Sequence, residues 1–546
     1  MPTHAVFFFK VALFMFSHLI SIRERLHLTV GKVLTAIPIL VMSTLVVAQA
    51  PYLRADKPIK DEQGRVSVII DFADDAHLKY STSALILPRN KSDRDSTPLS
   101  FFHNPKTEAL VADFESSYGF TRTGMTSWVG NSATASLAPE QINRLRQDVR
   151  IKQLFEDSAD SLSSWDDSPS PPVPGTETNT WGHQAVNGQV RTVNNNRKIY
   201  IIDSGVAAHL DLPSVSSRIN VACGAAECNV YDPNTYPVVG CYAHATHVAG
   251  IIGAQANNGI GTMGVYAGAN MVSLSVLKRT GSDMCADSSG VVGTDDSVYR
   301  SRVGYALDYV FWDTLYNNVP QLVNIVSISI NSAGFGIDGS TPQANWAKVR
   351  KIVTPDMVFV GCGIQPQCTP EEQYQYYPGA FVAQSAGNND VNKTCTQQIA
   401  PGRHYLPYYI TDPEAGAVIA DASDGIMVVG AINKLENRPT PTFSPTNPVN
   451  LTEPTPGSNF GVCVDVWAPG DQIYSTWGAL TGNTLVGTTY SNVASISGTS
   501  MAAPHVAAAA AYYADTYSLL NPGAIEEKIR QMKNPAITTY DVVKLW

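Results

Sequence analysis

The sequence of 546 residues predicts an α/β fold, with a mostly parallel sheet covered by helices on both faces and a small α+β module in front of it. Apolar runs such as 198–202 and 380–383 do not alternate with polar residues, which is typical of strands buried on both faces. Segments of small apolar residues, such as 244–253 and 502–511, are suited to helices packed closely against a sheet. Together the two kinds of segment predict layers of helix and sheet.

The composition excludes some classes of protein. A net charge of −10 and a pI of about 5.6 argue against nucleic acid as a partner. The 8 cysteines form no Cys-x-x-Cys pair, so we do not expect a zinc site of that kind. An even number of cysteines in an exported chain predicts disulfides, whose pairing the sequence leaves open.

Residues 1–50 are interpreted as a signal peptide with an unusually long N-terminal region. The apolar stretch 33–47 follows the basic residues Arg23 and Arg25 and ends in the cleavage pattern Ala48-Gln49-Ala50. A membrane anchor is the alternative, but the apolar stretch is short for a membrane span. We therefore expect a secreted protein, extracellular or periplasmic, without a stable membrane anchor.

Residues 51–160 are predicted to form a small α+β module, because a strand pattern at 65–72 is followed by an amphipathic helix at 138–145 and a second strand up to Asp157. An independent accessory domain is the alternative to a propeptide. Residues 161–180 are rich in Ser, Pro and Asp, which predicts an exposed linker that contains the maturation cut. Residues 181–546 would then form the main domain.

Ser500 stands out because small residues surround it in the stretch 497–506 and an alanine-rich helical segment follows at once. A serine at the N-terminal end of a helix lies near the positive end of the helix dipole, as a nucleophile requires. Pro504 is tolerated in the first helical turn, where its missing N–H costs little. The alternative is a core helix that begins with an exposed serine.

Two further residues are candidates for acid–base chemistry. Asp203 follows the strand run 198–202, although a lone Asp at such a position is more often a turn or a cap. His244 and His247 lie one turn apart in a helical segment, a spacing that also suits zinc. Because no His-Glu-x-x-His carboxylate or third ligand accompanies them, an acid–base role for one of the two histidines is favoured.

With Asp203, His244 and Ser500 in that chain order, the sequence from about Trp181 to the alanine run resembles the subtilisin family of serine peptidases, the subtilases. The resemblance implies a three-layer, doubly wound, mostly parallel sheet and an Asp/His/Ser triad, with His247 as a structural companion of His244. Residues 51–160 resemble the inhibitory propeptides of that family. The resemblance therefore implies an autoprocessed zymogen that carries its own intramolecular inhibitor.

The resemblance also implies roles for residues that line the substrate cleft. Asn388, which follows a strand and Ala-Gly, would be the oxyanion-hole donor, whereas most single asparagines in such places are turn residues. Either Ser327 or Ser329 would match the cleft serine of the family. The glycine that normally follows that serine is absent here, so the side-chain preference stays open.

The segment 256–262 resembles the calcium loop of the family, although an Asn/Gly surface loop without metal is an equal alternative. The implied structural calcium would take its ligands from the side chains of Asp211 and Asn258 and the carbonyls of Ala256, Ile260 and Thr262. Glu177 lies where an N-terminal ligand of the family would fall. No cofactor is expected for catalysis.

The expected function is that of a monomeric serine endopeptidase that hydrolyses polypeptides through an acyl-enzyme. Three other functions are alternatives. A binding protein on an inactive fold would lack catalytic residues, and a sedolisin-type acid peptidase would carry Glu in place of His244. A peptide ligase would use the same residues but would exclude water from the acyl-enzyme.

Overall fold

A computed structural model describes the chain in segments that all belong to one unit, Ala48–Trp546. The described residues are 52–54, 58–79, 103–157, 159–162, 173–174, 177–188, 196–221, 229–230, 243–276, 298–317, 322–332, 345–359, 374–388, 423–434, 443–445, 458, 464–478 and 492–532. The predicted signal peptide and every cysteine lie outside these residues. Among the helices that the structure describes, none has both the length and the apolar character needed to cross a bilayer.

The N-terminal module is of the predicted α+β type, and its sheet has five strands with helices on it. Its strands, in the sheet order β1-β5-β2-β4-β3, are β1 (Tyr52–Leu53), β2 (Val66–Phe72), β3 (Arg122–Thr126), β4 (Ser132–Leu137) and β5 (Ile151–Glu156). Its helices are α1 (Pro105–Tyr118) and α2 (Pro139–Leu145), with a 3-10 turn at Ala76–Lys79. Asn104 caps α1 through its side chain, and α1 buries Leu110 and Phe114 against the sheet.

The strands of the main sheet are β8 (Ile199–Asp203), β9 (Val215–Asn220), β10 (Asn229–Val230), β11 (Met271–Ser275), β13 (Asn324–Ile328), β17 (Ala380–Ser385), β18 (Ile426–Lys434), β19 (Phe443–Pro445) and β20 (Val466–Pro469). Seven of them are parallel and lie in the order β9-β11-β8-β13-β17-β18-β20, with antiparallel β10 beside β9 and antiparallel β19 beside β18. From β8 the chain adds β9 and then β11 on one side of it, and then β13, β17, β18 and β20 on the other, so the carboxyl end of β8 is a switch point where α/β proteins bind ligands.

Helices cover both faces of this sheet. They are α3 (Trp181–Ala185), α4 (Ala243–Gly253), α5 (Arg300–Asn317), α6 (Trp346–Val353), α7 (Thr499–Thr516) and α8 (Pro522–Gln531). Ile199 and Ile201 of β8 pack in the core cluster of α4, α7 and α8, whereas Tyr200 and Ile202 pack in the cluster of α5 and α6. Both faces of β8 are therefore apolar, which explains its run without alternation, and the helices on both faces of the sheet confirm the three-layer fold.

Several short strands connect the module to the main domain. They are β6 (Ala159–Leu162), β7 (Val173–Pro174), β12 (Val298–Tyr299), β14 (Ile330–Ser332), β21 (Ile473–Thr476) and β22 (Asn492–Ile496), and a separate ribbon consists of β15 (Asp356–Phe359) and β16 (Tyr374–Tyr377). β6 lies between β12 and β14, antiparallel to both, and β7 pairs with β22, which pairs with β21.

Within the linker predicted at 161–180, the structure describes short paired strands, with Ser161 and Leu162 of β6 on β14 and Val173 and Pro174 of β7 on β22. The reason is that an extended segment satisfies its backbone N–H and C=O groups on any free strand edge, whatever its side chains.

Candidate active site

Asp203 and His244 meet at the carboxyl end of the central strand β8. The Nδ1 of His244 lies 2.8 Å from the Oδ1 of Asp203, and the backbone N–H of Ser204 donates to the same oxygen at 2.6 Å. Both side chains are buried. Since the carboxylate can only accept, Nδ1 carries the proton, and Nε2 is left as the ring nitrogen that can act as a base.

Ser500 lies in the first turn of α7, as the sequence predicts. Its hydroxyl donates to the carbonyl oxygen of Ser329 at 3.1 Å, and the hydroxyl of Ser329 donates to the carbonyl oxygen of Ser500 at 3.1 Å. Of the two candidate cleft serines, the structure therefore brings Ser329 to Ser500. Ser327 stays two residues earlier, inside β13, with its hydroxyl buried.

Asn388 is held beside Ser500 by the residue that precedes this serine. The Oδ1 of Asn388 accepts hydrogen bonds from the backbone N–H of Thr499 at 2.9 Å and from its hydroxyl at 2.8 Å. Gly387 makes the turn into Asn388 with a φ of +90°, a conformation that favours glycine. Because Thr499 occupies Oδ1, the amide Nδ2 points elsewhere, and among the described residues it has no acceptor.

His247, one turn after His244, has a structural role. Its Nε2 donates to the carbonyl oxygens of Ile473 and Ala494 at 2.9 and 3.2 Å, which ties α4 to β21 and β22. Burial lowers the pKa of His247 to about 3, so the ring is neutral. The part of the chain that the structure describes contains no cluster of three His, Cys, Asp or Glu side chains able to hold a metal ion.

Two more buried histidines lie behind the site. The Nδ1 of His505 lies 2.7 Å from the carbonyl oxygen of Met501, within the helix that carries Ser500. His183 in α3 lies with its Nδ1 2.8 Å from the Oδ1 of Asn179. Burial lowers the pKa of each ring to about 4. Both rings are therefore uncharged at neutral pH.

The loop predicted to bind calcium is closed by hydrogen bonds. Asp211 accepts from the Nδ2 of Asn258 at 2.8 Å and from the backbone N–H of Thr262 at 2.9 Å. Glu177 accepts from the backbone N–H groups of Asn257 at 2.5 Å and Gly259 at 2.9 Å. The carboxylates of Asp211 and Glu177 and the amide oxygen of Asn258 are hard oxygen donors of the kind that calcium prefers. In the structure these oxygens accept from N–H groups of the loop, so an ion bound there would replace those hydrogen bonds.

The module contacts the main domain through two buried carboxylates. Asp308 of α5 accepts from the backbone N–H groups of three successive residues of the module, Ser127, Trp128 and Val129, at 2.7 to 3.2 Å. Burial raises the pKa of Asp308 to about 6 although these bonds oppose the shift.

Asp157, at the end of the module, makes the second contact. Its carboxylate accepts from the backbone N–H of Ser301 at 3.1 Å and from the hydroxyl of Ser301 at 2.7 Å. Ser301 lies in the first turn of α5, so the negative charge of Asp157 also lies at the positive end of that helix.

Sequence reasoning assigned no role to Thr499, Asp157 or Asp308. Thr499 directly precedes Ser500, and that adjacency was a usable signal. Asp308 sits in a helical segment whose neighbours Leu307 and Val310 are apolar and fully buried. A carboxylate on such a face requires a partner, which is the signal that could have revealed the contact.

Comparisons with known proteins agree on one family. The sequence profile of the subtilase family (Peptidase_S8) matches residues 194–539, more than half of the chain. The chain is 26% identical to alkaline serine exoprotease A of Vibrio alginolyticus over 399 residues, which cover 72% of this chain and 54% of that protein. It is 24% identical to a thermostable alkaline protease of Halalkalibacterium halodurans over 405 residues, 73% of this chain and 76% of that protein. The chain thus spans about half of the Vibrio protein.

A solved structure supports the fold. Fervidolysin from Fervidobacterium pennivorans, described as a keratinolytic enzyme related to subtilisin, superimposes with a TM-score of 0.51 at 15% identity, covering 91% of this chain and 62% of that chain. At that identity the likeness concerns the fold alone. Because the family profile matches most of the domain that carries Asp203, His244 and Ser500, this chain belongs to the subtilase family.

Proposed function

We propose that the protein is a secreted, monomeric serine endopeptidase that acts on polypeptides through Asp203, His244 and Ser500. The observation that carries the proposal is the 2.8 Å hydrogen bond between Asp203 and His244 at the switch point of the sheet. Ser500 lies at the same end of the domain. A buried carboxylate that fixes the tautomer of an imidazole is the arrangement that general-base activation of a serine requires.

In the proposed mechanism, the Ser500 hydroxyl turns from the carbonyl of Ser329 toward Nε2 of His244 and gives up its proton. The oxygen attacks the substrate carbonyl, and the resulting oxyanion accepts hydrogen bonds from Nδ2 of Asn388 and the backbone N–H of Ser500. That N–H lies in the first turn of α7, where backbone donors have no partner within the helix. His244 then protonates the leaving amine, and water hydrolyses the acyl-enzyme.

The module is proposed to be an intramolecular inhibitor, so that the protein is made as a zymogen. Support comes from β6, whose backbone lies as a strand between β12 and β14. Leu162 pairs with Ile330, the neighbour of Ser329, so the chain that leaves the module occupies the edge where a substrate would add as a strand. β7 begins eleven residues beyond Leu162 and pairs with β22. A cut between Leu162 and Val173 would free the module and leave β7 in place.

Calcium is proposed to stabilise the loop at 256–262 and has no part in the reaction. Asp211, Glu177 and Asn258 would hold the ion together with backbone carbonyls of the loop. Bound there, the ion would offset the two carboxylate charges. It would also join the start of the main domain to the loop that follows α4.

The test begins with the purified full-length protein and a fluorophosphonate probe, with the Ser500→Ala protein as control. The expected result is labelling at Ser500, and cleavage of protein substrates at internal bonds, seen as internal peptides by mass spectrometry. Release of single terminal residues would contradict an endopeptidase, and joined peptides would indicate a ligase. Absence of label would favour an inactive binding protein.

The same preparation tests maturation and calcium. N-terminal sequencing of the processed protein is expected to find a start between residues 163 and 173. A start within 51–157 would contradict the inhibitor proposal. Removal of calcium with a chelator is expected to lower the melting temperature, and an unchanged value would contradict the calcium site.

A further inference from the structure

Pro504 interrupts the hydrogen bonding of the helix that carries Ser500. α7 begins at Thr499, and Pro504 lies inside it as its sixth residue, beyond the first turn in which the sequence pattern places it. In a regular α-helix the backbone N–H of residue 504 would donate to the carbonyl oxygen of residue 500. Proline has no N–H, and its ring clashes with that carbonyl and pushes it outward. The helical bond that is lost is therefore one to Ser500 itself.

The side chain of Ser329 takes the place of the missing donor. Its hydroxyl donates to the carbonyl oxygen of Ser500 at 3.1 Å. Both residues are buried, so this carbonyl cannot turn toward bulk solvent instead. A buried carbonyl without a donor destabilises the folded chain, which is why nearly all of them are hydrogen-bonded. Ser329, just beyond the end of β13, thus supplies the hydrogen bond that Pro504 removes from α7.

Two hydrogen bonds in opposite directions join Ser329 to Ser500. The bond from the Ser500 hydroxyl to the carbonyl oxygen of Ser329 has to break when that hydroxyl turns toward His244 in the proposed mechanism. The bond from the Ser329 hydroxyl acts on the backbone of Ser500 and need not break at any step. The backbone N–H of Ser500 is one of the proposed oxyanion donors. A shift of this backbone would therefore misplace both the nucleophile and the donor.

We propose that the Ser329 hydroxyl is a positioning group: it bonds the carbonyl that Pro504 leaves without a helical donor, and so fixes the backbone of Ser500 for attack. The inference rests on the proposed peptidase function. Ser329→Ala removes the hydroxyl and keeps the backbone carbonyl of residue 329. Pro504→Ala returns an N–H to α7 at the position that can reach the carbonyl of Ser500. The two substitutions are therefore expected to compensate each other.

A double-mutant cycle tests this compensation. Ser329→Ala, Pro504→Ala and the double variant are compared with the wild type as processed proteins, by kcat and KM for a peptide and by the rate of Ser500 labelling with the fluorophosphonate probe. In the wild-type background we expect Ser329→Ala to lower kcat and the labelling rate about 5- to 100-fold, with little change in KM. In the Pro504→Ala background the same substitution should lower them less than about threefold, because the new N–H replaces the hydroxyl.

Ser216→Ala is the matched control. The Ser216 hydroxyl in β9 also donates to a backbone carbonyl, that of Met271 in β11, toward the far edge of the sheet. This substitution removes a bond of the same kind without touching α7. It should change neither kcat nor the labelling rate in either background.

The outcomes separate this inference from the function it rests on. Equal losses in the two backgrounds would mean that the hydroxyl acts on something other than the Ser500 carbonyl. A lower melting temperature with unchanged rates would make the hydroxyl merely structural, and a rise in KM with unchanged kcat would assign it to substrate binding. Each of these results overturns the inference and leaves the peptidase function standing.

If the wild type is neither labelled nor active on any peptide or protein, the proposed function itself fails. Should Ser329→Ala not fold or not process, the double variant decides, because the N–H returned by Pro504→Ala must then rescue it. A double variant that fails in the same way overturns the inference.

Discussion

The candidate active site and the module contact both use buried polar groups, but in opposite ways. At the candidate active site, the Nδ2 of Asn388 is buried and has no acceptor among the described residues. At the module contact, Asp308 accepts three backbone N–H groups and Asp157 accepts both polar groups of Ser301. A site that stabilises a charge formed during the reaction needs a hydrogen-bond donor that has no partner beforehand, whereas a docking contact is stable when its polar groups are already hydrogen-bonded.

Replacing Ser500 should give the largest effect in this comparison. In Ser500→Ala we expect kcat to fall about 10⁶-fold, the loss known for the corresponding serine of subtilisin, while the module contact is unaffected. Peptide hydrolysis measures the loss, and intact mass shows whether the chain stays uncut. Ser216→Ala, on the distant strand β9, is the matched serine control and should behave as the wild type. Normal processing of Ser500→Ala by itself would contradict the role of Ser500.

Removing the unpartnered donor, Nδ2 of Asn388, should give the second-largest effect. In Asn388→Ala we expect kcat to fall about 10²–10³-fold with little change in KM, because the donor acts on the oxyanion and not on the bound substrate. Steady-state kinetics separates the two constants. A rise in KM with an unchanged kcat would mean that Asn388 binds the ground state.

Removing a hydrogen-bonded carboxylate at the module contact should loosen the inhibitory module and leave the catalytic residues unaffected. Asp308→Ala strands three buried N–H groups, which cost about 1–3 kcal/mol each if they stay dry. In the Ser500→Ala background we expect trypsin to cut the module at least tenfold faster than in the parent. Asp74→Ala is the control, because Asp74 is exposed and pairs with Lys152 within the module. Equal cutting rates for Asp308→Ala and Asp74→Ala would contradict the contact.

The smallest effects should come from pH, and they should have opposite signs in the two regions. His505, behind Ser500, has a pKa lowered to about 4, so unfolding takes up its proton between pH 6.5 and 4. Its stabilising effect is complete above pH 6.5 and is lost as the pH falls. Asp308 has a pKa raised to about 6, so the folded state binds the extra proton and gains stability as the pH falls from 6 to 4.

Denaturant unfolding in the Ser500→Ala background can measure how the free energy of unfolding changes with pH for both groups. The stability difference between the parent and His505→Gln should shrink on acidification from pH 6.5 to 4. The difference between the parent and Asp308→Asn should grow over the lower part of that range. If both stability differences changed in the same direction with pH, burial would not be what shifts the pKa of one of the two groups.

Much of the fold and part of the site could be predicted from the sequence. The run 198–202 has no polar alternation, which follows directly from burial on both faces of β8, and small residues mark α4 and α7 as helices packed close to the sheet. Ser500 was predicted at the start of its helix because that feature is local. Local patterns report how each segment is buried, and burial is what the side chains encode.

Other features could not be predicted because they depend on partners far away in the chain. Nothing in the side chains of 159–162 predicts a paired strand, since the segment pairs through backbone groups that nearly all residues share. Nothing in the segment 324–332 distinguishes Ser327 from Ser329 until α7 is in place.

The sequence by itself predicted the N-terminal module, the layers of the main domain and the candidates for the reactive residues. Tertiary structure alone decided which serine faces Ser500, which segment fills the cleft, and which buried groups, such as the Nδ2 of Asn388, remain unpartnered. The physical reason is that side-chain pattern encodes where a residue lies between core and solvent, whereas hydrogen-bond partners are assigned only when distant segments meet.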